Sequence, residues 1–139
     1  MQILDKNTIL VSTSDELKTV LEEENTYNYI YFNNDITITS SILINEKKKY
    51  ITIDGTYQNV RYTYNSIAND DSSNIITASK ENKIITMKSM DIINTNAYGI
   101  IYVPGSTDYN KVTTKYIDIS LKGTKMLYNP YGTTVIIVT

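Results

Sequence analysis

Four aspartates, Asp35, Asp54, Asp91 and Asp118, each sit beside a short run rich in Ile and Thr. If those runs stack, the carboxylates can align on one face, where they repel unless a cation such as Ca²⁺ bridges them. The simpler reading, and the one preferred, is that each is a turn residue bonding its own backbone. Asp70-Asp71, inside the polar run Asn69-Asp-Asp-Ser-Ser73, is the best loop-borne calcium candidate. It lacks the DxDxDG spacing of a dedicated calcium loop, so a solvated loop is preferred there too. Calcium stays open as a ligand, and no other cofactor is expected. Arg61 and scattered lysines are the only bases on offer, and nothing in their surroundings tunes one for proton abstraction. Inverting glycoside hydrolysis needs two acids roughly 6.5–9.5 Å apart, and no catalytic motif surrounds any Asp. No catalytic residue is assigned.

Tyrosine is the better source of binding chemistry. The chain holds 13 Tyr, one Phe and no Trp. Tyr27, Tyr29, Tyr31, Tyr57, Tyr62 and Tyr64 alternate with other residues, so members of one parity share a strand face. A Tyr ring offers broad contact area at low entropy cost and carries a hydroxyl, useful against sugars or protein surfaces. Tyr57, Tyr62, Tyr64, Tyr98 and Tyr131 are the candidate ligand contacts. The ordinary alternative buries one parity and leaves the other as strand decoration.

Composition narrows the class. There is no Cys and no His, which removes disulfides, thiol nucleophiles, imidazole bases and Cys/His zinc sites. A formal net charge of −2 gives no basis for nucleic-acid binding, and the one basic run, Lys47-Lys-Lys49, reads as a solvated turn. No apolar run nears the roughly 20 residues that span a bilayer, so no membrane insertion is expected. The opening residues lack the order of a signal peptide. At 139 residues the chain is one domain, read as a fragment if the natural protein is exported.

These residues must be held by short strands. Thr13-Ser-Asp-Glu16 has capping-box spacing, and Leu17, Val20 and Leu21 follow at helical intervals. One helix is expected over about 14–23, its apolar stripe covering the open end of the fold. Thereafter the period is that of strands: Tyr29–Phe32, Ile36–Ile38, Ile42–Ile44, Tyr50–Ile53, Asn74–Thr77, Lys83–Met87, Met90–Ile93, and on to Thr133–Val138. Ile30 to Ile51 is about 21 residues, which suits one coil of a solenoid with a repeat of roughly 20–45. A sandwich would demand regular two-residue hairpins, and only Asp54-Gly55 suits one. The expected fold is all-β, a parallel β-helix. Its last rung, Thr133 to Val138, is apolar enough to invite self-association or continuation of the coil. Asn45, Asn94 and Asn129 each follow a strand and suit structural hydrogen bonding.

Two clusters carry a family resemblance. Asn33-Asn-Asp-Ile-Thr-Ile38 with Tyr50-Ile-Thr-Ile-Asp-Gly55 resembles the opening coils of pectate-lyase-like proteins. Met90-Asp-Ile-Ile-Asn-Thr-Asn-Ala-Tyr-Gly99, Tyr116-Ile-Asp-Ile-Ser-Leu-Lys-Gly123 and Leu127-Tyr-Asn-Pro-Tyr-Gly132 follow in the order of pectate-lyase-like adhesive domains on Gram-positive surface proteins. The resemblance implies a right-handed parallel β-helix and an extracellular, cell-wall-associated protein. It also implies a binding or spacer role, with a glycan or a host or cell-surface protein as partner. Export and anchoring signals are expected outside this chain. The enzymatic relatives imply a second reading, a calcium-assisted polysaccharide lyase or hydrolase.

Overall fold

A computed structural model of the chain describes residues 1–67, 74–96, 99–104, 110–123, 127–128 and 133–137. Strands dominate, and a single helix is found among these residues. In chain order they are β1 (Gln2–Asp5), β2 (Thr8–Val11), α1 (Ser14–Glu22), β3 (Tyr29–Phe32), β4 (Ile36–Thr37), β5 (Ile42–Leu43) and β6 (Tyr50–Asp54). Then come β7 (Thr56–Tyr57), β8 (Val60–Arg61), β9 (Thr63–Ser66), β10 (Ile75–Ile76) and β11 (Ser79–Asn94). The last four are β12 (Ile101–Tyr102), β13 (Asn110–Gly123), β14 (Leu127–Tyr128) and β15 (Thr133–Ile137).

The strands pair by position in successive passes, not with their neighbours in sequence. The larger sheet runs β1-β2-β3-β6-β11-β13-β15, with β4 and β9 joined to it beside β11, and it is curled into a half-barrel. A second sheet runs β5-β10-β12-β14, all parallel. The large sheet is mixed, because β1 turns back antiparallel onto β2. Every other pairing in it is parallel.

Parallel register stacks like residues. Ile9, Ile30, Ile53, Met87, Tyr116 and Ile136 form one column through six strands. Its first five members are buried and Ile136, on β15, is half exposed. A second column, Ile42-Ile75-Ile101, is buried on the facing sheet. The two inner faces close a continuous core of aliphatic side chains with Phe32, Tyr64 and Tyr116. Ile30 pairs with Ile53, two positions past the Ile51 that a 21-residue spacing selects. That pass includes a tight turn at Asn45, where the Lys48 amide donates to Asn45 O and the Lys47 amide to Asn45 Oδ1.

The helix forms as its sequence predicts. Thr13 caps it by accepting the Glu16 amide at 3.1 Å, while Glu16 Oε1 reaches back to the Ser12 amide at 2.8 Å. Leu17, Val20 and Leu21 are buried. The helix lies against β5, the edge of the second sheet, where Glu22 Oε2 accepts the Leu43 amide at 2.9 Å. An edge donor that would otherwise face solvent or another chain is thereby satisfied. The hairpin strand β1 was not foreseen; it covers the corresponding edge of the large sheet.

Lys83–Met87 and Met90–Ile93, read as two strands, are one strand bent at Ser89. Ser89 has φ +53°, and Asp118, at the same register position on β13, also has φ +53°. The bend resets the alternation, so Met87 and Met90 both point inward. On the neighbouring pass the same corner is occupied by Gly55. A Cβ there would lie 2.3 Å from Met90 Cβ and 2.9 Å from Ser89 O.

Candidate functional site

Among the described residues, the acids and the arginine that the sequence offers for chemistry are engaged in hydrogen bonds within the chain. Asp54 is buried; its Oδ1 accepts the Thr56 amide at 3.0 Å and its Oδ2 the Tyr29 hydroxyl at 2.7 Å. Asp35 Oδ1 accepts the Thr63 amide at 2.8 Å. Arg61 Nε donates to Asp91 Oδ1 at 2.8 Å and Nη1 to Asp118 Oδ2 at 3.0 Å. Its Nη2 donates to Met90 O and Asp118 O at 2.7 and 3.0 Å. The fork geometry of guanidinium, and its low hydration, suit it to bridge three passes of chain at once. The two carboxylates hold Arg61 above its ordinary pKa against the opposing effect of burial, so it is no proton acceptor at any physiological pH. Among the described residues no group of three or more Asp or Glu is arranged around a common point for a metal ion.

The lysine run forms the expected turn with Lys47 exposed, but Lys48 turns inward. Lys48 is buried, donating to Tyr27 O at 2.8 Å and to Asn25 Oδ1. Lys47 pairs with Glu24 and Lys49 with Glu81, at 3.0 and 3.1 Å. The run therefore ties two passes together. An open groove of about 530 Å³ lies beside it, lined by Glu46, Lys47, Lys49, Ser79, Lys80 and Glu81, with both charges present. Lys83 is buried nearby, its Nζ 3.4 Å from Asn45 O, and desolvation lowers its pKa to about 8.

On the outer face of the large sheet, tyrosines gather. Tyr29 and Tyr31 project from β3 on the side opposite buried Ile30 and Phe32. Their ring centroids are 4.8 Å apart, and Tyr57 lies 5.2 Å beyond Tyr31. The rings are tilted by 46° and 49°, a favourable aromatic arrangement. Tyr57 arrives from a different stretch of chain, on the β7–β8 hairpin. Gln58 and Asn59, at φ +50° and +65°, form its two-residue turn of the primed type. Burial, and then the bond to the Asp54 carboxylate, push the Tyr29 hydroxyl well above its usual pKa, so it stays a donor.

Of the tyrosines proposed from sequence that lie among the described residues, Tyr57 alone reaches this shelf. Tyr64 is wholly buried and stacked on Phe32, with centroids 6.4 Å apart. Tyr62 is half-buried and packs against the core beneath the hairpin. Tyr98, Tyr131, Asp70 and Asp71 lie outside the described residues, as does Asn129. Tyr29 and Tyr31 were not singled out as contacts, although their shared parity signalled a common face. The signal for Tyr57 joining them was the hairpin, and its turn is Gln58-Asn59 rather than Asp54-Gly55. Asn94 is buried and bonds within its own turn, accepting the Asn96 amide at 3.2 Å. Asn45 instead secures the helix end, donating to Glu22 O at 3.1 Å.

No curated relative and no solved structure matches the chain. A family model does, and it covers β2 to β14, the Arg61 corner and the tyrosine shelf together. With residues 8–128 matched, the chain belongs to the pectate lyase-like adhesive domain family.

Proposed function

We propose that this chain is a non-catalytic, extracellular adhesive module carried on a right-handed parallel β-helix, binding a glycan or a surface protein. The observation that carries the reading is the engagement of its reactive groups. Asp35, Asp54, Asp91 and Asp118 each accept hydrogen bonds from the chain itself, and Arg61 is held by two carboxylates and two carbonyls. General acid–base catalysis needs a group within reach of substrate with a pKa near the working pH. These residues hold a corner instead. Membership of an adhesive-domain family supports the same reading, and so does a parallel ladder whose six-strand column behaves as a solenoid core. A surface location follows from the adhesive role.

Incubation with acidic polysaccharides, with and without calcium, tests the non-catalytic half through the absorbance of unsaturated products. No turnover is expected. Calcium-dependent turnover lost in Asp54→Asn or Asp91→Asn would establish the lyase reading instead. A glycan array and a matrix-protein panel test the adhesive half, and silence on both would leave a structural spacer.

A further inference from the structure

The adhesive reading leaves the ligand class open, and the tyrosine shelf narrows it. We infer that Tyr29, Tyr31 and Tyr57 form a binding site for the ring faces of a neutral polysaccharide, an inference that rests on the adhesive reading. Three aromatic rings from two separate segments meet on the outside of a sheet, where core packing does not require them. Both segments are fixed. Buried Asp54 holds the Tyr29 hydroxyl and the Thr56 amide, setting one ring and the first residue of the hairpin. Arg61, opposite Thr56 in that hairpin, anchors its returning strand to two further passes. Rings already held in place lose little freedom when a ligand binds.

The surroundings suit a sugar. A pyranose presents an apolar C–H face to an aromatic ring and hydroxyls at its edge. Thr8 and Thr52 flank Tyr29 in register on either side, and Asp54 flanks Tyr31. Leu10, the other neighbour of Tyr31, is buried. The border of the rings therefore carries the Thr8 and Thr52 hydroxyls, while the Asp54 carboxylate is buried and already bonded, and half-exposed Val60 stands opposite Tyr57. Charge favours a neutral chain. The Asp54 carboxylate lies beside Tyr31 in register and would repel an acidic sugar, while Arg61 is matched by two carboxylates.

Affinity electrophoresis of the full chain tests this, in gels containing a soluble β-glucan, a mannan or polygalacturonate. At least one neutral polymer should retard the protein and polygalacturonate should not. Tyr31→Ala and Tyr57→Ala should each weaken retardation roughly ten-fold or more. Tyr31→Phe should retain most of it, and Tyr50→Ala, an exposed tyrosine outside the shelf, should bind as the parent does. Tyr57 lies on a hairpin outside the stacked columns, so its variant reports on binding even where Tyr31→Ala loses the fold. Failure of every neutral polymer, or unchanged binding by both alanine variants, would overturn the inference. Attachment of the parent chain to cells or matrix that persists in those variants would sink the shelf and leave the adhesive role standing. Loss of attachment by the parent itself would sink the adhesive role.

Discussion

Arg61 Nη1 lies 3.0 Å from Asp118 Oδ2 although the residues are 57 positions apart, and Asp91 completes the clamp from the pass between them. The chain's single arginine thus ties the hairpin that carries Tyr57 to two later passes. Asp118 reaches it from a left-handed backbone position, φ +53°, that Asp tolerates better than most residues. Substrate chemistry and scaffold chemistry compete for the same few charged groups, and here the scaffold holds them.

Arg61→Ala should therefore destabilise the fold by about 1–2 kcal/mol, measured as the urea midpoint. Both carboxylates are half exposed, so solvent screens the ion pairs, and much of the effect comes from the carbonyl bonds to Met90 and Asp118. Arg61→Lys should recover little, because an ammonium cannot span four acceptors in a fork. Full recovery by lysine would show that charge alone matters at this corner.

Gly55→Ala should cost more, about 2–4 kcal/mol, since the added methyl meets Met90 Cβ at 2.3 Å and backbone at 2.9 Å. Neither neighbour is the free end of a flexible side chain. Thermal unfolding of Gly55→Ala, Met90→Gly and the double variant separates the two contacts, because only glycine at position 90 removes the Cβ. Relief in the double variant would assign the clash to the methionine, and no relief would assign it to Ser89 O.

Tyr64→Phe should be neutral or stabilising by about 1 kcal/mol. Among the described residues the Tyr64 hydroxyl has no hydrogen-bond partner, while the ring is fully buried against Phe32. Removing an unsatisfied oxygen keeps the packing and relieves a desolvation cost. A clear loss of stability in chemical denaturation would mean that the hydroxyl makes a bond worth keeping.

Much of the scaffold is legible in the sequence because it is written in local chemistry. Thr13 and Glu16 sit three apart and cap a helix; Leu17, Val20 and Leu21 share its buried stripe; Ile30 and Phe32 alternate with Tyr29 and Tyr31. The long-range pairings are less legible, since register depends on how many residues each turn absorbs. That is why Ile30 meets Ile53 and not Ile51. The shelf was half visible. The parity of Tyr29 and Tyr31 is local, whereas Tyr57 reaches them through a turn at Gln58-Asn59, a pair with no Gly to announce its positive φ. Nor does sequence separate Tyr64 from Tyr57. One continues an inward column and the other sits on an excursion from it.

Lys83 gives the chain an alkaline stability profile. Burial lowers its pKa from 10.5 to about 8, with Lys49 adding repulsion. Below about pH 8 the amine is charged in both states, and the cost of burying that charge is fully present. Between about 8 and 10.5 the folded chain has released the proton and the unfolded chain has not, so stability rises with pH. Tyr29, Tyr64 and Tyr116 act oppositely, because their raised pKa values keep them protonated in the fold while the unfolded chain ionises near 10.0. The urea midpoint should therefore climb from pH 7.5 to a maximum between about 8 and 10, then fall. Lys83→Met should shrink the climb, leaving the part due to Lys48, whose pKa burial also lowers. It should stabilise the protein at pH 7 by about 1–3 kcal/mol, with the fall above pH 10 unchanged. A parent profile that is flat or falling from pH 7.5 to 9.5 would mean that the Lys83 amine is solvated in the folded chain.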